Sequence, residues 1–184
     1  MSTMHCSLLS LGCVFGFATV REQTSLSALH ALRIAQRRLR PEVRAKLLSI
    51  SSARTDESLV PEAWRFVFHD AATSGHCRIV TVAAKTSSEH PDTVEAFSSF
   101  KAENVAALHP IAQNKLLINS DKALELARGT LKLKGLKAVE YRLTQQKSSQ
   151  EALWTLHFFA ENGDDGARCQ MGAKTGTVQV LNAD

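Results

Sequence analysis

One order of predicted elements occurs twice along this chain, and this internal repeat limits its fold more than any other feature. Apolar residues recur at helical spacing within residues 27–39 and again within residues 119–131. The inward-facing positions are Leu32, Ala35 and Leu39 in the first copy and Leu124, Ala127 and Leu131 in the second. The repeat therefore predicts two helices that each bury one apolar stripe.

The ends of both helices are marked by ordinary capping residues. Ser27 can cap the first helix, and Pro41 stops it because proline cannot continue a helix. Ser120 or Asp121 can cap the second.

Strand patterns follow each helix in the same order. Residues 47–51 and 136–143 alternate with the period of a half-buried strand. An aromatic strand comes next in both copies, with Trp64, Phe66 and Phe68 matching Trp154, Leu156 and Phe158. Turns at 72–75 and 162–166 then lead into further strands that begin at Cys77 and Cys169.

The two copies differ at their ends. Residues 174–177 (Lys-Thr-Gly-Thr) predict a tight turn between two edge strands in the second copy. The first copy lacks this glycine and runs into a polar stretch. We therefore expect residues 87–118 to be a connector with one short helix at 93–100, where Val94, Phe97 and Phe100 have helical spacing.

Composition is that of an ordinary globular protein, with 44% hydrophobic and 22% charged residues. Two modules of about 80 residues would each bury only roughly 60% of their unfolded surface, so they would gain from packing together.

The N-terminus predicts export to the periplasm or the extracellular space. Residues 7–20 are uncharged and apolar, too short to span a membrane but of the length of a signal-peptide core. Gly16 and Ala18 are the small residues of a cleavage site, so residues 1–18 form the expected signal peptide. Lipid attachment at Cys13 and a cytosolic protein with an apolar first element are the alternatives.

The net charge of +4 is concentrated between residues 21 and 46, where only Glu22 and Glu42 are acidic. Arg37, Arg38 and Arg40 could contact phosphates, but aromatic residues are missing among them. A solvated helix end is the preferred interpretation over an anionic partner, and we expect no nucleic acid and no stable membrane span.

One cluster of polar residues suggests a possible metal site. His69, Asp70, His76 and Cys77 flank a turn and could converge on a zinc ion. The second copy has Phe159 and Ala160 where the first has His69 and Asp70, which favours ordinary strand-end residues. We assign no catalytic, cofactor-binding or metal residues. Cys77 and Cys169 could pair in an oxidising compartment, although two small buried thiols are the preferred interpretation.

One helix followed by three or four antiparallel strands resembles the PepSY domain, a family found in peptidase propeptides and other exported bacterial proteins. The resemblance covers residues 26–86 and 119–184, and its best pieces are residues 121–127 and 173–178. It implies an α+β protein of two cystatin-like modules, each a helix packed on a three- or four-stranded antiparallel sheet. It also implies that the chain binds or restrains another polypeptide, often a peptidase.

The sequence therefore predicts a non-catalytic, exported protein-binding or peptidase-regulating module without a cofactor. Phosphate loops, Cys-x-x-Cys pairs, His-Glu-x-x-His and Gly-x-Ser-x-Gly motifs are missing from the sequence. The alternatives are a small metal-dependent hydrolase built on His69, His76 and Cys77, and a structural envelope protein with no specific ligand.

Overall fold

The computed structural model describes residues 26–56, 58–73, 75–86, 91–99, 108–131, 133 and 135–181. The predicted signal peptide, residues 1–18, lies outside this part of the chain. The helices are α1 (Ala28–Gln36), α2 (Pro41–Arg44) and α3 (Ser120–Thr130), with a 3-10 turn at Gln113–Lys115. The strands are β1 (Leu47–Ser52), β2 (Ala63–His69), β3 (Cys77–Thr86), β4 (Pro91–Ser99), β5 (Leu136–Thr144), β6 (Leu153–Ala160), β7 (Asp165–Gly172) and β8 (Val178–Leu181).

All eight strands belong to one antiparallel sheet in the order β4-β3-β2-β1-β5-β6-β7-β8. The prediction of two cystatin-like modules, each a helix packed on its own three- or four-stranded antiparallel sheet, is therefore wrong. The first strands of the two halves pair with each other, with Ile50 opposite Leu143 and Ser51 opposite Arg142. The strand order is symmetric about this β1–β5 junction.

The physical reason for the single sheet is that separate modules would leave β1 and β5 as open edges with unsatisfied backbone groups. Polar side chains extend the junction beyond the paired residues. The Ser52 hydroxyl accepts from Tyr141 N at 3.1 Å, and the Thr55 hydroxyl accepts from Val139 N at 2.9 Å. The junction buries backbone that either half alone would expose.

Helices α1 and α3 contribute to the same hydrophobic core on one face of the sheet. The predicted stripes of both helices pack there. Leu32, Ala35, Leu39, Leu124 and Ala127 are buried, and Leu131 is partly buried against them. Helix α1 ends at Gln36, earlier than the predicted stop at Pro41, and Pro41 instead begins the short helix α2, a first-turn position that suits proline.

Two tryptophans and a tyrosine join the halves at the centre of this core. Trp64 and Trp154 are 1% and 0% exposed, which confirms their predicted burial. Their ring centroids are 6.3 Å apart, and Tyr141 lies 5.4 Å from Trp64 and 6.4 Å from Trp154, all in edge-on geometry. Such pairs add stability beyond the area that they bury.

The two indoles make equivalent hydrogen bonds. Trp64 Nε1 donates to the Leu26 carbonyl at 2.5 Å, and Trp154 Nε1 donates to the Ile118 carbonyl at 2.9 Å. Each carbonyl lies two residues before the helix of its own half. Each tryptophan therefore fixes the start of one helix on the sheet.

The first turn of α1 is capped from the other half of the chain. Ser27, the predicted cap, makes no side-chain capping bond. Instead, Ala28 N donates to Ser120 Oγ and Leu29 N donates to Asn119 Oδ1, both at 3.0 Å. Asn119, rather than Ser120 or Asp121, also caps α3 by accepting from Ser120 N. The two helix starts thus meet and share capping groups.

The connector contains a strand where a helix was expected. Pro91–Ser99 forms β4 and pairs antiparallel with β3 along most of its length. The helical spacing of Val94, Phe97 and Phe100 was misleading because the threonine, valine and phenylalanine of this segment also favour strands. The first half thus ends in a hairpin like the second.

Candidate functional site

The structure gathers the predicted polar cluster at the β2–β3 turn, but not as a metal site. His69 lies opposite Cys77 in the sheet, and the rings of His69 and His76 stack with centroids 6.5 Å apart. The Cys77 side chain is 1% exposed and packs with Leu48 and other apolar residues on the face opposite the helices. In the described part of the chain, no group of three or more His, Cys, Asp or Glu side chains could hold a metal ion.

Asp70 stabilises this turn instead. Its carboxylate is almost fully buried and accepts from Arg40 Nη2 at 3.3 Å, from Arg78 Nε at 3.1 Å and from Ala72 N at 3.1 Å. Two arginines compensate the cost of burying the charge. Because Arg40 precedes α2, this network ties the helix layer to the end of the sheet.

Cys77 and Cys169 are buried thiols rather than a disulfide. Cys169 packs in the main core and Cys77 in the smaller cluster on the other face of the sheet. Burial raises the pKa of Cys169 to about 11, partly offset by a backbone hydrogen bond with Leu156. Cys169 lies opposite Leu156. Val80 lies opposite Phe66, the residue of the first half that matches Leu156. The structural counterpart of Cys169 is therefore Val80 and not Cys77.

The face of the sheet opposite the helices carries a row of polar residues that crosses seven strands. From β3 to β8 this row is Thr81, Arg65, Ser51, Arg142, Thr155, Gln170 and Gln179. In the neighbouring row, His157 Nε2 lies 3.2 Å from Asp165 Oδ1, and the His157 ring packs on Phe159 with centroids 4.2 Å apart. These contacts are typical of a solvated sheet face.

Strand β8 forms one edge of the sheet, and among the described residues only β7 pairs with it. The Gly172 amide donates to the Thr177 carbonyl, which fixes the hydrogen-bonding pattern of this pair. In an antiparallel ladder, successive residues direct their backbone N–H and C=O groups alternately towards and away from the partner strand. Those of Gln179 and Leu181 therefore point towards β7. The backbone N–H and C=O groups of Val178 and Val180 consequently point away from the sheet.

The turn that presents β8 is held tightly, and the predicted Lys174-Thr175-Gly176-Thr177 turn is confirmed. The Glu151 carboxylate accepts from Lys174 N, Thr175 N and Thr175 Oγ1 at 3.0 to 3.3 Å. Gly176 has φ +72°, a conformation that favours glycine. These bonds fix the position of a strand that is only four residues long.

Apolar side chains border this edge on the helix side. Val180 is 45% exposed, and Val178, Leu126 and Ile118 are partly buried against the core. Leu117, just before α3, is 67% exposed. We call the outer edge of β8 with Val178, Val180, Leu126, Ile118 and Leu117 the β8 edge site.

No helix within the described residues is long and apolar enough to cross a membrane. No family model, curated protein or solved structure matches this chain. The resemblance to the PepSY domain therefore stays a prediction.

Proposed function

We propose that this chain is a non-catalytic, exported binding protein that holds an extended segment of another polypeptide at the β8 edge site. The observation that carries the proposal is the pair of outward-facing backbone positions, Val178 and Val180, on an edge strand with no charged residue. An extended chain can add to such an edge as a further strand.

Proteins usually protect exposed sheet edges with lysine, proline, bulges or a covering segment. Strand β8 has the sequence Val-Gln-Val-Leu, and its pairing with β7 has a regular register. Apart from its length of four residues, β8 shows none of these protective features within the described part of the chain, and the Glu151 contacts hold it in place. A fixed, uncharged edge favours a binding role over a frayed terminus.

The pattern of side chains defines the kind of segment that fits. A strand added beside β8 would place every second side chain on the helix side, next to Val180 and the exposed Leu117. The segment should therefore carry apolar residues at alternate positions. A peptidase is one candidate source, because the resemblance to the PepSY domain suggests it.

Two outward residues offer at most four backbone hydrogen bonds. At roughly 0.5–1.5 kcal/mol each, these bonds supply about 2–6 kcal/mol. That range corresponds to a Kd between a few tens of millimolar and a few tens of micromolar before apolar contacts are added. The site suits a partner that is also held elsewhere or that is present at high concentration.

A proline substitution tests the site because proline has no backbone N–H. Val180→Pro removes an outward donor without removing a bond to β7, and proline is tolerated on edge strands. Val180→Thr is the matched control, since threonine keeps both the N–H and the β-branched shape. Both variants should keep the wild-type unfolding transition in urea.

The binding assay uses proteins that co-purify with the chain from the exported fraction, followed by amide hydrogen exchange of the complex. We expect Val180→Pro to lose the partner and Val180→Thr to retain it. The partner should slow exchange at the Val178 and Val180 amides, which face outwards. A partner retained by Val180→Pro, or protection confined to the polar sheet face, would refute the β8 edge site.

A further inference from the structure

The exposed face of α1 carries only basic side chains. His30, Arg33 and Arg37 lie along one side of the helix at spacings of three and four residues, and all three are exposed. Arg38, Arg44 and Lys46 follow this helix in the sequence and are also exposed. We call these six residues the α1 basic surface.

Among the described residues, nearby carboxylates do not neutralise the α1 basic surface. Glu42 is paired with Arg40 at 3.3 Å, and the buried Asp70 is held by Arg40 and Arg78. Within the described ranges, neither Arg33 nor Arg37 forms an ion pair. Their charge is thus available to a partner.

Helix α3 shows that the fold does not need this charge. It occupies the equivalent place in the second half and buries the same Ala-Leu-x-x-Ala pattern. Its exposed face is balanced, with Asp121 and Glu125 beside Lys122 and Arg128, and Lys122 pairs with Glu125 at 2.7 Å. Because Glu125 stands where α1 has Arg33, the packing of the helix does not explain the basic face.

We propose that the α1 basic surface binds the anionic headgroups of a phospholipid membrane. The surface is the outer side of a helix and not a groove, a shape that can contact a flat array of phosphates. It contains no phenylalanine, tyrosine or tryptophan on which single-stranded bases could stack. Helix α1 is also the described element nearest in sequence to the apolar residues 7–20, which are expected to meet a membrane during export.

The expected strength follows from the number of charges. Each lysine or arginine near an anionic membrane contributes about 1 kcal/mol, and the contribution decreases over a Debye length. Removing Arg33 and Arg37 should therefore weaken binding by roughly 30-fold at physiological salt. Reversing both charges should weaken it further.

The test is co-sedimentation of the full chain with vesicles of phosphatidylcholine alone and of phosphatidylcholine with about a third phosphatidylglycerol. Binding through an apolar leader would be similar in both vesicles, so the difference between them reports the basic surface. The test variant is Arg33→Glu with Arg37→Glu. The matched control is Lys122→Glu with Arg128→Glu, which changes the net charge equally on the equivalent helix.

We expect the wild type and the α3 variant to prefer anionic vesicles and to lose that preference at high salt. The α1 variant should show no preference even at low salt. An equal loss of the preference for anionic vesicles in both variants would overturn the proposal, because net charge alone would then explain the binding. Equal binding of the wild type to both vesicles, or tighter binding to duplex DNA than to anionic vesicles, would also overturn it.

Discussion

Truncation of either central tryptophan should destabilise the whole chain and not only its own half. Trp64→Ala removes a fully buried indole, its contacts with Tyr141 and Trp154, and the bond that satisfies the Leu26 carbonyl. Large aromatic residues in cores cost about 3–5 kcal/mol when replaced by alanine. We expect about 4 kcal/mol here, a large fraction of the 5–15 kcal/mol that typically holds a domain together.

Urea denaturation measures this effect. For a chain of this size, a slope of roughly 2 kcal/mol per molar urea converts the loss into a midpoint lowered by about 2 M. The chain contains two tryptophans, so in Trp64→Ala the fluorescence reports Trp154 in the second half alone. Circular dichroism reports the whole chain, and the two transitions should coincide because the halves share one sheet and one core.

Independent unfolding of the two halves would give a different pair of transitions. A Trp154 fluorescence transition at the wild-type midpoint, with an earlier loss of part of the circular dichroism, would mean that the halves unfold independently. The shared-core interpretation would then be wrong. If Trp64→Ala does not fold, Trp64→Phe provides a milder test, since it removes the indole N–H bond but keeps an aromatic ring and should cost about 1–2 kcal/mol.

Two further predictions concern the buried thiol and export. The pKa of Cys169 is raised from 9.0 to about 11 by burial, so its contribution to stability is complete below pH 9 and is lost as the pH rises through about 11. Cys169→Val, which introduces the residue found at the counterpart position Val80, should lose less stability between pH 8 and pH 11 in urea titrations; an identical loss would exclude the thiol as the cause. The predicted cleavage after Ala18 should yield an exported protein whose intact mass begins at Thr19, and full-length protein in the cytosol would contradict it.

Periodicity predicted the faces of individual elements well. The buried stripes of α1 and α3 and the burial of both tryptophans were correct because side-chain spacing encodes the inward face of an element. The turn at residues 174–177 was also correct, since its glycine has a positive φ. These features depend on a few neighbouring residues.

Contacts between distant segments could not be predicted in this way. Nothing in residues 47–52 indicates that β1 pairs with β5, because a half-buried strand has the same alternation at an edge and at the centre of a sheet. The cap of α1 by Asn119 and Ser120 was missed for the same reason. The β8 edge was foreseen only as an edge strand, since the outward direction of its backbone groups depends on the register with β7.

The shared caps of the two helix starts have a consequence for folding during synthesis. The amides of Ala28 and Leu29 receive their side-chain acceptors from residues about ninety positions later in the chain. The ribosome makes the first half long before those acceptors leave the exit tunnel. We therefore expect the nascent first half to wait in an incompletely ordered state, so that a chaperone or export machinery can hold it until residue 120 has emerged.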